Sequence, residues 1–362
     1  MKNVELKQGS IASLYVLKAI CAFLVVVIHF PMKYGYYFYP IVRIAVPCFF
    51  MISGYFLYND NREKMLTNLK RALRKTLKVT IFAYAFYILT AAFISLIFGG
   101  RVNFGLGLEL IKSCSWITFI LAGPQIGAGH LWYLVAYIET LLVIWLFARL
   151  RKGFQWLYLI VPIGLIVNIL CGRYSFIIPI DDPIMLDVTK EIVARNFLTI
   201  GIPAFAIGMW LKQHQEQILN VITPRKSLVI SLVILLVAIA EFTILVYFFG
   251  REVAGDITIL TIPLAISTII ACLCYPKFGM ESYISTIGQK YSSDIYIYHV
   301  FSGKFILICT EIVIYTLTGT YFKYMYAAPT VFIATLFFVI VFQKSIEWIK
   351  VKTAKTNSAI YN

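Results

Sequence analysis

Ten apolar segments, each about long enough to cross a bilayer as a helix, constrain this chain more than any other feature. A bilayer core takes about 20 consecutive, mostly apolar residues per helix. The segments are residues 11–30, 41–58, 77–98, 131–148, 155–171, 196–211, 227–249, 257–274, 294–317 and 327–343. They predict an all-α fold, a polytopic transmembrane helical bundle of about ten spans.

The composition of the 362 residues agrees with this prediction. Hydrophobic residues make up 60% of the chain and charged residues only 14%, whereas soluble domains carry about 25% charged residues. A soluble enzyme, a disordered chain and a coiled coil are therefore excluded. The seven cysteines lie mostly in apolar runs without metal-ligand spacing, so we interpret them as small buried hydrophobic residues. No metal site is expected.

The loop charges predict the orientation of the bundle. If the N-terminus lies inside, the inner loops hold 21 Lys and Arg residues and the outer segments nine, and cytoplasmic loops are the ones that accumulate cations. Both termini are therefore expected in the cytoplasm, and the net charge of +15 indicates loop bias rather than nucleic-acid binding. Residues 1–343 are predicted to form a single domain and residues 344–362 a short basic tail. Residues 104–122 either span, re-enter or lie at the interface.

Lys18 and His29 form the sharpest polar pair within a predicted span. Eleven residues at 100° each come to 20° beyond three full turns, so both side chains share one helix face. They lie about 16 Å apart along the axis, with Lys18 near mid-membrane and His29 near the outer surface. Ionisable groups at this depth are costly and default to functional hypotheses. The alternative is a snorkelling lysine and an interfacial histidine.

A basic segment between residues 62 and 78 follows the second span. Its leucines recur at helical spacing, which predicts an amphipathic helix along the inner leaflet. Arg71 and Arg74 share its polar face, and such a pair can bind phosphate groups bidentately. Contact with anionic lipid explains the same pattern equally well.

Polar residues also mark the ends of later spans. His130 and Trp132 precede the fourth span on the outer side, where a Trp-Tyr pair is also typical of an aromatic belt. Glu139 lies mid-span on the face opposite His130, so its partner must come from another span. Arg195 and Asn196 open the sixth span from outside.

The ninth span contributes one further polar stripe. Tyr296, His299 and Ser302 follow at intervals of three, which places them on one helix face. We expect this stripe to face the bundle interior at the inner end of the span.

In this order, the motifs resemble the acyltransferase-3 family of bacterial membrane O-acyltransferases. Lys18 and His29 match the family's Arg/Lys-x10-His pattern, although arginine is commoner at the first position. Further matches are residues 47–57, Arg71-x-x-Arg74, His130-Leu131-Trp132-Tyr133 and residues 293–299. The resemblance covers about residues 10–343 and implies a multi-pass protein of the bacterial cytoplasmic membrane.

The resemblance implies transfer of an acyl group, usually acetyl, from cytoplasmic acyl-coenzyme A to a hydroxyl on the outer side. The acceptor is expected to be a cell-envelope glycan or its lipid-linked precursor. His29 is the candidate general base, and Lys18 the group that stabilises the oxyanion or fixes the pantetheine arm. The expected donor-binding residues are Arg71, Arg74, Tyr296 and His299, and the expected acceptor-binding residues are His130, Trp132, Glu139, Arg195 and Asn196.

Two other functions stay open on the sequence. A transporter or exporter of a small molecule or glycan needs the same polar core but no phosphate site. A structural role in a glycan-synthesis complex is the third reading. Membrane lipids are expected partners in every case.

Overall fold

The computed structural model describes residues 11–30, 32, 38–99, 129–150, 152–177, 195–249, 257–318 and 327–360. Residues 104–122, for which three arrangements are open, lie outside them. Helices dominate the described residues, and each of the ten apolar segments is largely helical there. The all-α prediction is confirmed.

The α-helices of the described residues, in chain order, are α1 (Ala12–His29), α2 (Tyr39–Arg43), α3 (Ala45–Leu57), α4 (Arg62–Gly99), α5 (Trp132–Arg149), α6 (Gly153–Cys171), α7 (Ile202–Gln213), α8 (Gln215–Val221), α9 (Pro224–Phe249), α10 (Thr261–Cys274), α11 (Tyr283–Thr286), α12 (Ser292–Thr318) and α13 (Ala327–Ile360). The described residues also contain two π-helical turns, one at Phe197–Gly201 directly before α7 and one at Ile287–Tyr291 between α11 and α12.

Seven stretches of the described residues are long and apolar enough to cross a membrane. They are Ala12–His29, Tyr39–Leu57, Arg62–Phe93, Gly129–Arg149, Gly153–Cys171, Pro224–Phe249 and Ala327–Thr353. Two shorter apolar helices, Phe197–Gln213 and Thr261–Cys274, add to them. The protein is therefore a multi-pass membrane protein. Ten spans and cytoplasmic termini stay predictions.

Two helices are longer than the sequence predicts. The basic segment and the third span form one uninterrupted helix, α4, of 38 residues, so the separate amphipathic helix expected along the leaflet is not formed. At 1.5 Å per residue α4 is about 57 Å long, nearly twice the bilayer core of about 30 Å. Likewise α13 runs without a break past residue 343 to Ile360, and the expected tail begins as a continuation of this helix.

The chain folds into two compact units. The first combines Met1–Phe38 with Pro276–Asn362, and the second is Tyr39–Tyr275. Of the described helices, α1, α11, α12 and α13 belong to the first unit and α2 to α10 to the second. The predicted single domain therefore contains segments of both units.

In the first unit, α1 lies directly against the π turn that leads into α12. A Cβ atom on Gly288 would stand 1.7 Å from the carbonyl oxygen of Tyr15, so the two backbones touch where only glycine fits. Farther along, His29 of α1 meets His299 of α12. Residue numbers rise together in both contacts, and α1 and α12 therefore run in the same direction.

In the second unit, α3 and α7 approach each other as closely. A Cβ atom on Gly54 would lie 2.0 Å from the carbonyl oxygen of Phe205, and one on Gly208 would lie 1.9 Å from that of Met51. Small residues at membrane helix crossings allow this backbone contact. The crossing holds α7, which follows the buried Asn196 and the π turn, against α3.

Candidate functional site

His29, the last residue of α1, lies beside a second imidazole. Its ring centroid is 5.0 Å from that of His299 on α12, with the planes tilted by 47°. His29 is exposed, whereas His299 is completely buried at 0% exposure. One histidine is thus open to a reactant while the other supports it from inside the first unit.

The contact brings together two residues that the sequence placed at different levels. His299 was expected at the inner end of the ninth span and His29 near the outer surface, and the two expectations do not hold together. In the structure α11, the π turn and α12 follow one another without a break from Tyr283, so His299 lies about 24 Å along this helical rod. His29 lies about 26 Å along α1 from Ala12. Because the two rods run in parallel, both histidines reach the same level.

The ring of His299 is held by its own helix. Its Nδ1 atom lies 2.7 Å from the carbonyl oxygen of Tyr296 and 3.2 Å from that of Ile295. A carbonyl oxygen only accepts hydrogen bonds, so Nδ1 carries the proton and donates it. The neutral ring then has its lone pair on Nε2, an atom shielded from solvent.

Aromatic side chains close the site around the two imidazoles. The ring of Phe30 meets that of His299 edge-on, with 6.4 Å between centroids and an angle of 82°, and Tyr296 lies 6.1 Å away on the same helix. Gly303 makes room for Phe30, because a Cβ atom there would lie 2.2 Å from the ring's Cζ atom. Phe30 and Gly303 are site residues that the sequence patterns did not single out.

The polar stripe on α12 is buried as predicted. Tyr296, His299 and Ser302 are exposed by 6% or less, and the hydroxyls of Ser302 and Thr335 are 2.5 Å apart. This hydrogen bond joins α12 to α13. Thr335, which is fully buried, was missed, although a threonine within an otherwise apolar segment was the available signal.

Lys18 lies on the same face of α1 as His29 and is half-buried. Ala22 and Val25, which occupy this face between them, are buried apolar residues. The two polar groups therefore stand about 16 Å apart along the axis, separated by an apolar stretch rather than joined by a continuous polar face.

The arginines in the first half of α4 have two different roles, because one binds another helix and two are exposed. Arg62 donates from Nε to the carbonyl oxygen of Ala148 at 2.6 Å and from its terminal nitrogen to that of Arg149, and this satisfies the C-terminal carbonyls of α5. Arg71 and Arg74 are exposed. They project from the helix and are available to anionic groups, which suits a nucleotide phosphate or a lipid headgroup alike.

His130 is enclosed rather than open. It is 4% exposed, and its ring packs edge-on against Tyr87 of α4 with 5.2 Å between centroids. Trp132 is half-buried and contacts the ring of Tyr133 at 6.4 Å. The His130 side chain therefore helps to join α4 to the start of α5.

The remaining expected acceptor residues differ in role. Asn196 caps the π turn before α7, because its Oδ1 atom accepts hydrogen bonds from the backbone nitrogens of Leu198 at 2.8 Å and Thr199 at 2.9 Å. Arg195 beside it is exposed. Glu139 is half-buried, and its Oε2 atom is buried without a hydrogen-bond partner among the described residues. The partner expected from another span is not found in that part of the chain.

One comparison with known proteins gives a match. A family model described as an acyltransferase domain matches residues 11–343, nearly the whole chain. The searches of curated proteins and of solved structures give no match.

Proposed function

This chain belongs to the acyltransferase-3 family, and from this membership we propose which groups it joins and where. The acyl group, most simply acetyl, comes from cytoplasmic acyl-coenzyme A. The acceptor is a hydroxyl of a cell-envelope glycan or its lipid-linked precursor, on the outer side of a bacterial cytoplasmic membrane. Both termini lie in the cytoplasm in this scheme.

The observation that carries the proposal is the exposed imidazole of His29 at the end of α1. A neutral imidazole takes the proton of the acceptor hydroxyl while its oxygen attacks the thioester carbonyl, and it returns the proton to the departing coenzyme A thiolate. General-base catalysis of this kind contributes about 10²- to 10⁴-fold in rate. The C-terminal end of a helix favours the imidazolium that forms in between.

The donor is recognised at both ends of its molecule. Arg71 and Arg74 bind the phosphates through charge-assisted hydrogen bonds, while the buried Tyr296 and His299 support His29 at the end that holds the thioester. Lys18 fixes the pantetheine arm, because its position about 16 Å from His29 along α1 is too remote for the oxyanion of the same reaction.

The acceptor side uses residues near the predicted outer surface. Arg195 is exposed and offers hydrogen-bond donors to a glycan or its phosphate, and Trp132 offers an aromatic face. Asn196 contributes by capping the π turn at the start of the sixth span. His130 contributes by packing the start of α5 against α4. Glu139, which the sequence places mid-span rather than near the surface, completes the set proposed for acceptor binding.

The experiment is transfer by the purified, full-length protein in vesicles. Acetyl-coenzyme A is supplied on one side, and release of coenzyme A is measured together with the acetyl content of envelope glycans by mass spectrometry. His29→Ala is expected to lower transfer by at least 10²-fold. His214→Ala is the matched control, since His214 stacks on Trp210 at 4.7 Å in the turn after α7. Near wild-type transfer by His29→Ala contradicts the assignment of the base.

Glu139 supports a second candidate function, that of a transporter. Intramembrane carboxylates mark proton and substrate pathways, and its Oε2 atom is buried without a hydrogen-bond partner among the described residues. A transporter moves its substrate through vesicles lacking acyl-coenzyme A, whereas the acyltransferase leaves no acylated product there. The same vesicles therefore separate the two functions.

A further inference from the structure

An apolar groove lies between α9 and α10 in the second unit. It encloses about 290 Å³, close to the lower limit of about 300 Å³ for ligand pockets. Isoleucines form most of its wall: Ile230 and Ile234 belong to α9, Ile266 and Ile270 belong to α10, and Ile222 closes the groove before α9 begins. The space therefore accommodates one slender, apolar ligand.

Hydrogen bonds at the two ends of the groove fix the direction of its helices. The thiol of Cys274, the last residue of α10, lies 3.5 Å from the carbonyl oxygen of Ile222. At the other end, the backbone nitrogen of Leu260 donates to Glu241 of α9 at 3.1 Å. The two helices therefore run antiparallel, and the start of α9 lies beside the end of α10.

The two serines that line the groove use their hydroxyls within their own helices. The hydroxyl of Ser227 donates to the carbonyl oxygen of Pro224 at 2.7 Å, and that of Ser267 donates to the carbonyl oxygen of Leu264 at 3.0 Å. Water in a cavity needs two to four polar partners, and this wall offers apolar surface instead. The groove therefore favours a hydrocarbon chain over water or a sugar.

The groove opens at a surface of the membrane-spanning part of the chain. Ile230 in its wall is 41% exposed, and α9 is long and apolar enough to cross a membrane. From Pro224 to Ile234 the helix rises about 15 Å, which is half of a bilayer core of about 30 Å. The groove therefore extends over the depth of one leaflet, where lipid acyl chains surround the protein.

A lysine lies at the end of the groove where α9 begins. Lys226, Ile230 and Ile234 follow one another at intervals of four, so they share one ridge of the helix. The Lys226 side chain is exposed. Arg225 is also exposed, but it lies about 200° around the helix axis from Ser227. A headgroup above a chain in the groove therefore meets Lys226 and not Arg225.

We propose that the groove binds an acyl chain of one anionic phospholipid, whose headgroup is held by Lys226. The neighbouring sequence suits a negative headgroup, because residues 212–227 contain three Lys and Arg residues and a single carboxylate, Glu216. Basic pockets between membrane helices on the cytoplasmic side bind anionic headgroups, and the start of α9 lies on that side in the proposed orientation. Neither the groove nor Lys226 takes part in the proposed acyl transfer, so this site goes beyond that function.

Photocrosslinking tests the headgroup and the chain separately. The full-length protein is reconstituted into phosphatidylcholine vesicles that contain a small fraction of phosphatidylglycerol with a diazirine on one acyl chain. Peptide mass spectrometry measures the label on residues 222–234 and 263–270, and phosphatidylcholine with the same diazirine is the reference for bulk lipid. We expect about fivefold more label from phosphatidylglycerol, the preference that one cation near an anionic headgroup supplies. Excess unlabelled phosphatidylglycerol is expected to compete with it.

Variants at the two ends of the site separate charge from shape. Lys226→Ala is expected to lower the label from phosphatidylglycerol to the level of phosphatidylcholine, whereas Lys226→Arg retains the preference. Arg225→Ala, the matched control, removes the same charge one residue away and also retains it. Ser267→Phe fills the groove and is expected to lower the label from both lipids several-fold. The Lys226 variants change only an exposed side chain, so they test the site even if Ser267→Phe does not fold.

Three results overturn the proposal, and none of them depends on acyl transfer. Equal label from the two lipids, or equal loss of label in Lys226→Ala and Arg225→Ala, shows bulk lipid contact without a headgroup site. Absence of label from the groove of the wild-type protein shows that protein, such as a second copy of this chain, covers it. If a polyprenyl phosphate displaces the label more effectively than phosphatidylglycerol, the occupant is the chain of a lipid-linked sugar carrier.

Discussion

The imidazole pair of the first unit, His29 and His299, and the arginine pair of α4, Arg71 and Arg74, differ in how their polar groups are surrounded. His299 is completely buried, and its ring nitrogen is hydrogen-bonded to a carbonyl of its own helix. Arg71 and Arg74 are exposed and keep their charge in contact with their surroundings. Burial makes the first site depend on geometry within fractions of an ångström, whereas exposure makes the second depend on charge, which salt screens.

The first prediction is that His29 and the arginine pair are reached from different sides of the membrane. The expected effect on labelling is all-or-none. In a chain whose native cysteines are replaced, Phe38→Cys, nine residues beyond His29, is expected to react with an impermeant thiol reagent in intact cells. Thr67→Cys, at the basic end of α4, is expected to react only after the membrane is opened. Both native residues are exposed. If an introduced cysteine does not react, burial inside the protein is therefore not the reason. Reversed labelling contradicts the transfer of acyl groups outward.

Geometry at the imidazole pair is tested by adding a single methyl group. Gly303→Ala places a Cβ atom 2.2 Å from the ring of Phe30, so Phe30 must move away from the edge of His299. Overpacking of this kind costs about 1–3 kcal/mol, and the displacement next to His29 is expected to lower kcat by tenfold or more at any salt concentration.

A glycine-to-alanine control is not available at Gly288, where the clash is with backbone and the fold itself is expected to suffer. Ile333→Ala on α13 is a milder control, because this side chain is 66% exposed. If Gly303→Ala retains its thermal transition and its kcat equals that of the wild type, the site tolerates movement of Phe30. The imidazole pair would then depend on exact geometry no more than the arginine pair does.

Charge at α4 is tested by salt. Arg71→Ala and Arg74→Ala are expected to weaken coenzyme A binding by a few-fold to tenfold each at low ionic strength, since exposed ion pairs contribute about 0.2–1 kcal/mol and hydrogen bonds to charged groups about 1.5–3 kcal/mol. The loss should shrink as salt rises. Calorimetric titration measures it, and Arg225→Ala at the start of α9, another exposed arginine, is the matched control. Unchanged affinity for coenzyme A assigns this pair to lipid headgroups instead.

The smallest effect on activity is expected at Glu241, which holds three elements of the second unit together. Its carboxylate accepts from the hydroxyl of Tyr174 and from the backbone nitrogens of Ile259 at 2.8 Å and Leu260 at 3.1 Å. Burial and the Glu241 carboxylate raise the pKa of Tyr174, so its hydroxyl remains a donor. Glu241→Gln is expected to lower the free energy of unfolding by about 1–3 kcal/mol with kcat nearly unchanged. A tenfold loss of kcat in folded protein would place Glu241 in the site.

The sequence predicted the helices well because apolar length and helical periodicity are local properties. It also singled out His29, Arg71 and Arg74 as candidates, since charged groups in or beside apolar segments are conspicuous. The residue at which each helix begins was harder to predict. The contact between His299 and His29 was missed, because α11 and the π turn extend the helix of His299 backward from Ser292 through a segment with no apolar run.

Other parts of the site depend on contacts that no single segment specifies. The enclosure of His130 by Tyr87 joins residues more than 40 positions apart, and the fit of Phe30 over Gly303 joins the two ends of the chain. The continuity of α4 was missed for a different reason. Its polar and apolar halves were interpreted as two environments, although a helix of constant geometry can pass from one to the other.

The π turn between α11 and α12 determines the direction in which each side chain of α12 points around the helix axis. A π turn holds one more residue than the α-helix it interrupts, and each residue of an α-helix turns the chain by about 100°. A protein of this family that lacked one residue between positions 283 and 291 would present its equivalent of His299 about a quarter-turn away from α1. The contact between the two imidazoles therefore depends on the residue count of this turn as well as on the histidines themselves.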